Sequence, residues 1–247
     1  ILNRGAGTVG YGSARRNMMT AFANIAHDRV VTLDRAPGYN LAQLMGKYLW
    51  LPMTAMGAMA IGTALGLGVA QATIGADLFE RFDATDKANF ETLGTLSGGF
   101  VLLGIGFLLS GISFALARIA GIFRVGGGQV QEAVGRDVQT LAMPGTAWAF
   151  LMLMMMGLMI VIAGFVAQVV AAVNVHDAWI NAAGPNGAIA YKLGRAQTIT
   201  TWAGPVQRFG VATLFTGIAF MLATIIRILR FQATRIKALA EQRKLSG

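Results

Sequence analysis

Cysteine is absent from the 247 residues, which excludes disulfides, thiolate metal sites and cysteine nucleophiles. Histidine is nearly absent. His27 and His176 are the only two, and neither lies in a long apolar run. A haem held in a bilayer by two facing histidines, or a histidine–carboxylate metal cluster, therefore lacks its ligands. The pair His176-Asp177 reads as structural. Charge is the third scarcity, at 13% of residues against about 25% in a typical soluble domain.

The missing charge is concentrated. No Asp, Glu, Lys or Arg occurs between Lys47 and Asp77, Glu91 and Arg118, Asp137 and Asp177, or Arg208 and Arg227. A helix needs roughly 20 mainly apolar residues to cross the hydrocarbon layer. The first three gaps exceed that length, and the fourth reaches it because its flanking arginines can snorkel. The expectation is an all-α membrane protein with four transmembrane helices, near 48–72, 96–123, 146–173 and 209–231. Its segments are a cytoplasmic start at 1–46, a first hairpin at 47–123, a linker at 124–145, a second hairpin at 146–231 and a basic tail at 232–247. The chain begins with Ile1 rather than Met, which leaves room for residues before it. The first long apolar run starts only near Tyr48, so no secretory leader is expected.

The net charge of +9 is explained by topology rather than by nucleic acid. Fifteen Lys and Arg fall in the start, the middle linker and the tail, and five in the two remaining loops, 73–95 and 174–208. That bias places both termini and the linker on the cytoplasmic side. Ala- and Gly-rich composition with this asymmetry fits a bacterial inner membrane. All four tryptophans (Trp50, Trp148, Trp179, Trp202) fall near the expected interfaces, where amphipathic rings are favoured.

The halves resemble each other. Gly111-Ile-Ser-Phe-Ala-Leu-Ala-Arg-Ile-Ala-Gly-Ile-Phe-Arg124 matches Gly217-Ile-Ala-Phe-Met-Leu-Ala-Thr-Ile-Ile-Arg-Ile-Leu-Arg230 at eight of fourteen positions, an offset of 106. Val69-Ala-Gln71 and Val166-Ala-Gln168 pair the odd helices at an offset of 97. The reading is two tandem hairpins in parallel orientation.

The spans carry no Asp, Glu, Lys or His. Their most polar groups are Gln71 and Gln168, read as interhelical hydrogen-bond formers or, alternatively, as a shared polar site. Met152, Met155, Met156 and Met159 crowd the third helix. Thioethers suit Cu(I), but methionine is also an apolar gap filler, and packing or lipid contact is the preferred reading. Arg118, Arg124, Arg227 and Arg230 sit where lipid headgroups would be; they also set topology. Gly126-Gly-Gly128 is expected to be a turn out of the second helix, followed by a helix at 129–142 with Val130, Val134, Val138 and Leu141 on one face. Residues 15–28 carry a weak amphipathic pattern. The 35-residue loop at 174–208, with turns at Gly184-Pro-Asn-Gly187 and Gly204-Pro205, is expected to cap or dock a partner.

No catalytic group emerges, and no resident cofactor or metal is expected; bound phospholipid is. The functional expectation is a non-catalytic subunit of a larger membrane complex, with other membrane subunits as partners. The alternatives are a passive or partner-energised transporter of a small or apolar solute and a Met-rich copper-handling protein.

Overall fold

The computed structural model describes residues 30–32, 37–133, 138–141, 144–181 and 186–245. The amphipathic pattern at 15–28 lies outside them. Four helices account for nearly everything: α1 (Pro37–Glu80), α2 (Ala84–Ala133), α3 (Gly145–Ile180) and α4 (Asn186–Leu245). Each contains a stretch long and apolar enough to cross a membrane. The described part of the chain is thus almost entirely helical and of multi-pass type.

All four helices overrun the apolar stretches. A 60-residue helix such as α4 is about 90 Å long, against a hydrocarbon core of about 30 Å. Two expectations are corrected by this. The 174–208 segment is not a loop, because α3 continues to Ile180 and α4 starts at Asn186. The extension has a core of its own, in which Ala171, Val175 and Ala196 are buried under Trp179 and Ile199. Pro205 lies inside α4, on an exposed face; proline is tolerated within such helices because neighbouring groups and local adjustments re-satisfy the freed backbone. The 73–95 segment is likewise helical apart from residues 81–83. There Asp83 accepts hydrogen bonds from the amides of Thr85 and Asp86, at 2.6 and 3.3 Å, and so caps α2.

The Gly126–Gly128 turn and the 129–142 helix are also corrected. α2 runs through the three glycines to Ala133, and residues 139–141 form a strand. Gly127 lies under the side chain of Gln232 on α4, whose amide reaches the Phe123 carbonyl, and Gly128 lies under Val138. Gly127 and Gly128 admit neighbours, and none of the three turns the chain. The strand β2 (Gln139–Leu141) pairs antiparallel with β1 (Val30–Thr32), Val31 opposite Thr140. This small ribbon adds a β element that the all-α expectation lacks.

α1 packs on α2 and α3 on α4, each pair an antiparallel hairpin. α2 also packs on α3 and α4, whereas α1 has no comparable packing on either. Half of the apolar stretch of α2 is buried (50%), against 17% for α1. α2 is therefore the central helix and α1 a peripheral one. The core gathers Leu103, Leu109, Phe114, Phe150, Met154 and Leu214.

Candidate functional site

The hairpins close on glycine. In the first, a Cβ on Gly57 would stand 2.9 Å from the Gly104 carbonyl, and one on Gly104 would stand 2.9 Å from the Gly57 carbonyl. In the second, Gly157 and Gly210 stand in the same reciprocal relation, each 2.9 Å from the other's carbonyl. Backbones this close gain packing and weak Cα–H contacts that any side chain would abolish. The parallel extends along both interfaces. Gly57 faces Leu108 and Gly157 faces Leu214; Gly111 faces the backbone of Trp50 and Thr54, and Gly217 that of Phe150 and Met154. Gly46 lies against the backbone of Phe114 and Arg118, where the second hairpin has Thr146 against Thr224, their hydroxyls 2.8 Å apart.

These contacts fix one register. Odd helices correspond at an offset of 100 (157 − 57) and even helices at 106 (210 − 104). The even offset is that of the sequence match. The odd offset differs from the 97 of the Val-Ala-Gln match, so Gln71 corresponds in space to Ala171, and Gln168 to Gly68. At an offset of 100 the odd helices share Leu51/Leu151, Met56/Met156, Gly57/Gly157 and Met59/Met159.

Gln71 and Gln168 accordingly occupy different places. Gln71 is half-buried with its amide against Gly94. Gln168 is buried, and its Nε2 donates to Gln207 Oε1 at 2.7 Å. Gln207, fully buried, donates in turn to the Val161 carbonyl at 3.3 Å. Gln168 Oε1 is buried against Gly99 with no hydrogen-bond donor. The real polar pair of the spans is therefore Gln168–Gln207. Gln207 does not stand out in the sequence because it precedes Arg208 in a stretch that reads as loop; its one signal is its place two residues before the Phe209–Ile226 run.

At the helix ends where α1 begins and α2 finishes, the four arginines part company. Arg124 is buried and donates from Nη2 to Thr140 Oγ1 at 3.3 Å. Beside it Gln131 reads the edge of β2 like a strand partner, donating to the Gln139 carbonyl at 3.0 Å and accepting its amide at 2.9 Å. Arg124 thus clasps the ribbon to α2. Arg118, Arg227 and Arg230 are exposed. Arg118 joins Lys47, Gly121, Gly126 and Gln129 around an open groove of about 440 Å³. Two cations and an open glycine make this groove suited to an anionic headgroup.

Met152, Met155, Met156 and Met159 all lie exposed on the outward face of α3, from 46% to 65%, while Met154 points into the core at 1%. At the opposite end Trp179 Nε1 donates to Glu91 Oε2 at 2.8 Å, and Glu91 also pairs with Lys87 at 2.9 Å. Asp177 is held below the ordinary carboxylate range chiefly by its hydrogen bond to Lys192, which ties α4 to the end of α3. Among the described residues no three His, Asp or Glu side chains converge as metal ligands. Comparison with protein-family models, with curated proteins and with solved structures finds no match to this chain.

Proposed function

We propose that this chain is a non-catalytic membrane-spanning subunit, a scaffold or anchor within a larger membrane assembly of a bacterial inner membrane. One observation carries the reading. Glycines inside each hairpin are in backbone contact, yet among the described residues Gly62, Gly66 and Gly68 of α1 have nothing within 4 Å of where a side chain would start. Small residues let helices approach closely, and α1 offers such a surface with no helix on it. The groove at Lys47 and Arg118 supports phospholipid as a second partner. Purification in mild detergent tests the reading. The expected result is an assembly heavier than one chain; a monodisperse monomer with nothing attached would overturn it.

The chain is also inferred to be two tandem copies of one hairpin, parallel in orientation. The common register of the glycine contacts supports this, because chance resemblance between apolar helices would not repeat both the residues and their contacts. Both termini are assigned to the cytoplasm on the Lys/Arg bias.

A second reading, passage of a small solute, is favoured by one fact alone: Gln168 Oε1 is buried without a donor, a state that a polar guest would relieve. Liposome flux abolished by Gln168→Ala/Gln207→Ala would support it. Flux unchanged by that pair of substitutions would remove the glutamines from any pathway.

A further inference from the structure

We infer that the partner covering α1 is α4 of another copy of this chain, seated as α3 is seated on α2 within the chain. The inference rests on the hairpin duplication proposed above. Inside the molecule the second hairpin docks on one face of α2. Gly99 meets Phe165 and Gln168, Gly106 meets Val161, and the Phe100 and Phe165 rings cross edge to face at 4.8 Å between centroids. Leu103, Ser110 and Ser113 on that face are buried as well.

The offsets of 100 and 106 show what becomes of this interface elsewhere. The α4 counterparts of Gly99, Leu103, Gly106, Ser110 and Ser113 are Pro205, Phe209, Ala212, Thr216 and Ala219. All five are exposed, Phe209 at 63%. The α1 counterparts of Phe165 and Gln168 are Leu65 and Gly68, with Gly62 three residues before Leu65, whereas that of Val161 is Ile61, which already packs on Gly104. Leu65 is 68% exposed, and Gly62 and Gly68 meet nothing. Within the chain the two hairpins are thus joined by an interface of which each hairpin uses only one side. The first keeps an unused odd-helix face, and the second an unused even-helix face.

An arrangement in which each hairpin packs its odd helix on the even helix of the one before is heterologous. It leaves complementary faces at its two ends and so continues into a ring or an open row. The α4 face keeps the small residues that close approach requires, in Ala212, Thr216, Ala219 and Ala223. Those positions recur at three- and four-residue spacing on one side of the helix. The polar tie at the far end is not kept, since Glu91 and Trp179 become Gln197 and Phe79. The contact between copies therefore rests on the spans themselves.

The absence of cysteine makes the test direct. Leu65→Cys and Val206→Cys occupy the positions of Phe165 and Phe100, and α1 and α4 do not pack extensively on each other among the described residues of one chain. The full chain in native membranes is treated with a short bifunctional maleimide. The double variant is expected to give a ladder of dimers, trimers and higher species. Each single variant alone should give none, and a mixture of the two single variants should give dimers. Crosslinking of Leu65→Cys to itself would mean symmetric α1–α1 pairing and would overturn the proposal. No crosslink in any combination, with one copy per particle by native mass spectrometry, would overturn it too. A single copy bound to a different protein would sink this inference and leave the subunit reading standing. Copies of this chain with nothing else attached would do the reverse for any reading that requires other subunits.

Discussion

Gln207 accepts from Gln168 and donates to the Val161 carbonyl, so one side chain joins α3 to α4 twice. Removing it leaves the whole Gln168 amide buried beside Gly99. A buried amide without partners costs about 1–3 kcal/mol, although bonds between membrane helices average nearer 0.6. Gln207→Leu is therefore expected to destabilise the folded chain by about 1–2 kcal/mol, read by titrating micelles with denaturing detergent and following tryptophan fluorescence. Gln168→Leu/Gln207→Leu should cost less than the sum of the single changes, because no polar group is then stranded. Equal additive losses would show that the bond between them contributes nothing. Gln168 was legible in the sequence as an uncommon polar residue in an apolar run. Its partner was not, because partnership is set by helix register, and the flanking arginine made Gln207 look like surface.

Two elements show how far local pattern reaches. The apolar runs locate the four helices but not their ends, since a helix does not stop where the apolar stretch does. Gly126–Gly128 and Gly204-Pro205 read as breaks by local propensity. Packing under Gln232 and Val138 overrides it in the first case, and in the second the helix simply continues, with Pro205 on an exposed face. The ribbon of β1 and β2 is six residues long and depends on Arg124 and Gln131, so no periodicity could reveal it. The glycines separate into two kinds that sequence alone does not distinguish. Gly104→Val would drive a branched side chain into the Gly57 carbonyl and Ile61, and overpacking of this type costs about 1–3 kcal/mol. Gly62→Ala adds a methyl to open space and should leave the fold unchanged or up to about 1 kcal/mol more stable, through helix propensity. The same detergent titration separates the two, and equal effects would mean that the hairpin is not closed at Gly104.

At the start of α2, the amide of Thr85 and then that of Asp86 hold the Asp83 carboxyl below its ordinary value of 3.8. A depressed folded-state value contributes stability that is present above 3.8 and is lost as the pH falls through the folded value. Protection of the Thr85 and Asp86 amides from hydrogen exchange, corrected for intrinsic rate, should therefore hold at neutral pH and fall only in strong acid. Asp83→Ala should lower it at neutral pH; protection unaffected by that change would show that the cap does not hold in solution.

For the whole molecule, four spans and short connections force all connections to alternate between two sides. Residues 81–83 and Asn181 lie at one end, and the ribbon with Ala133 and Gly145 at the other. The helix count follows from hydropathy and the proposed sidedness rests on the Lys/Arg bias, but the centrality of α2 does not follow from either. It arises because one face of α2 carries Gly99, Gly106, Ser110 and Ser113 in line and accepts α3 there, whereas the corresponding α4 residues Pro205, Ala212, Thr216 and Ala219 are exposed. Sidedness is the part a direct measurement can reverse. In this cysteine-free chain, Phe82→Cys and Ile236→Cys place single thiols at exposed positions on opposite ends. With intact cells whose outer membrane has been opened, a membrane-impermeant maleimide is expected to label Phe82→Cys at once. Ile236→Cys should be labelled only after the inner membrane is disrupted. The basic residues supply the reason: a segment rich in Lys and Arg next to a span resists translocation, and the two ends of the chain carry six each against two and three in the 73–95 and 174–208 segments. Labelling in the opposite order would invert the topology and put the Lys47–Arg118 groove on the outer face. It would leave the helix packing untouched, because no glycine contact depends on which side of the membrane is which.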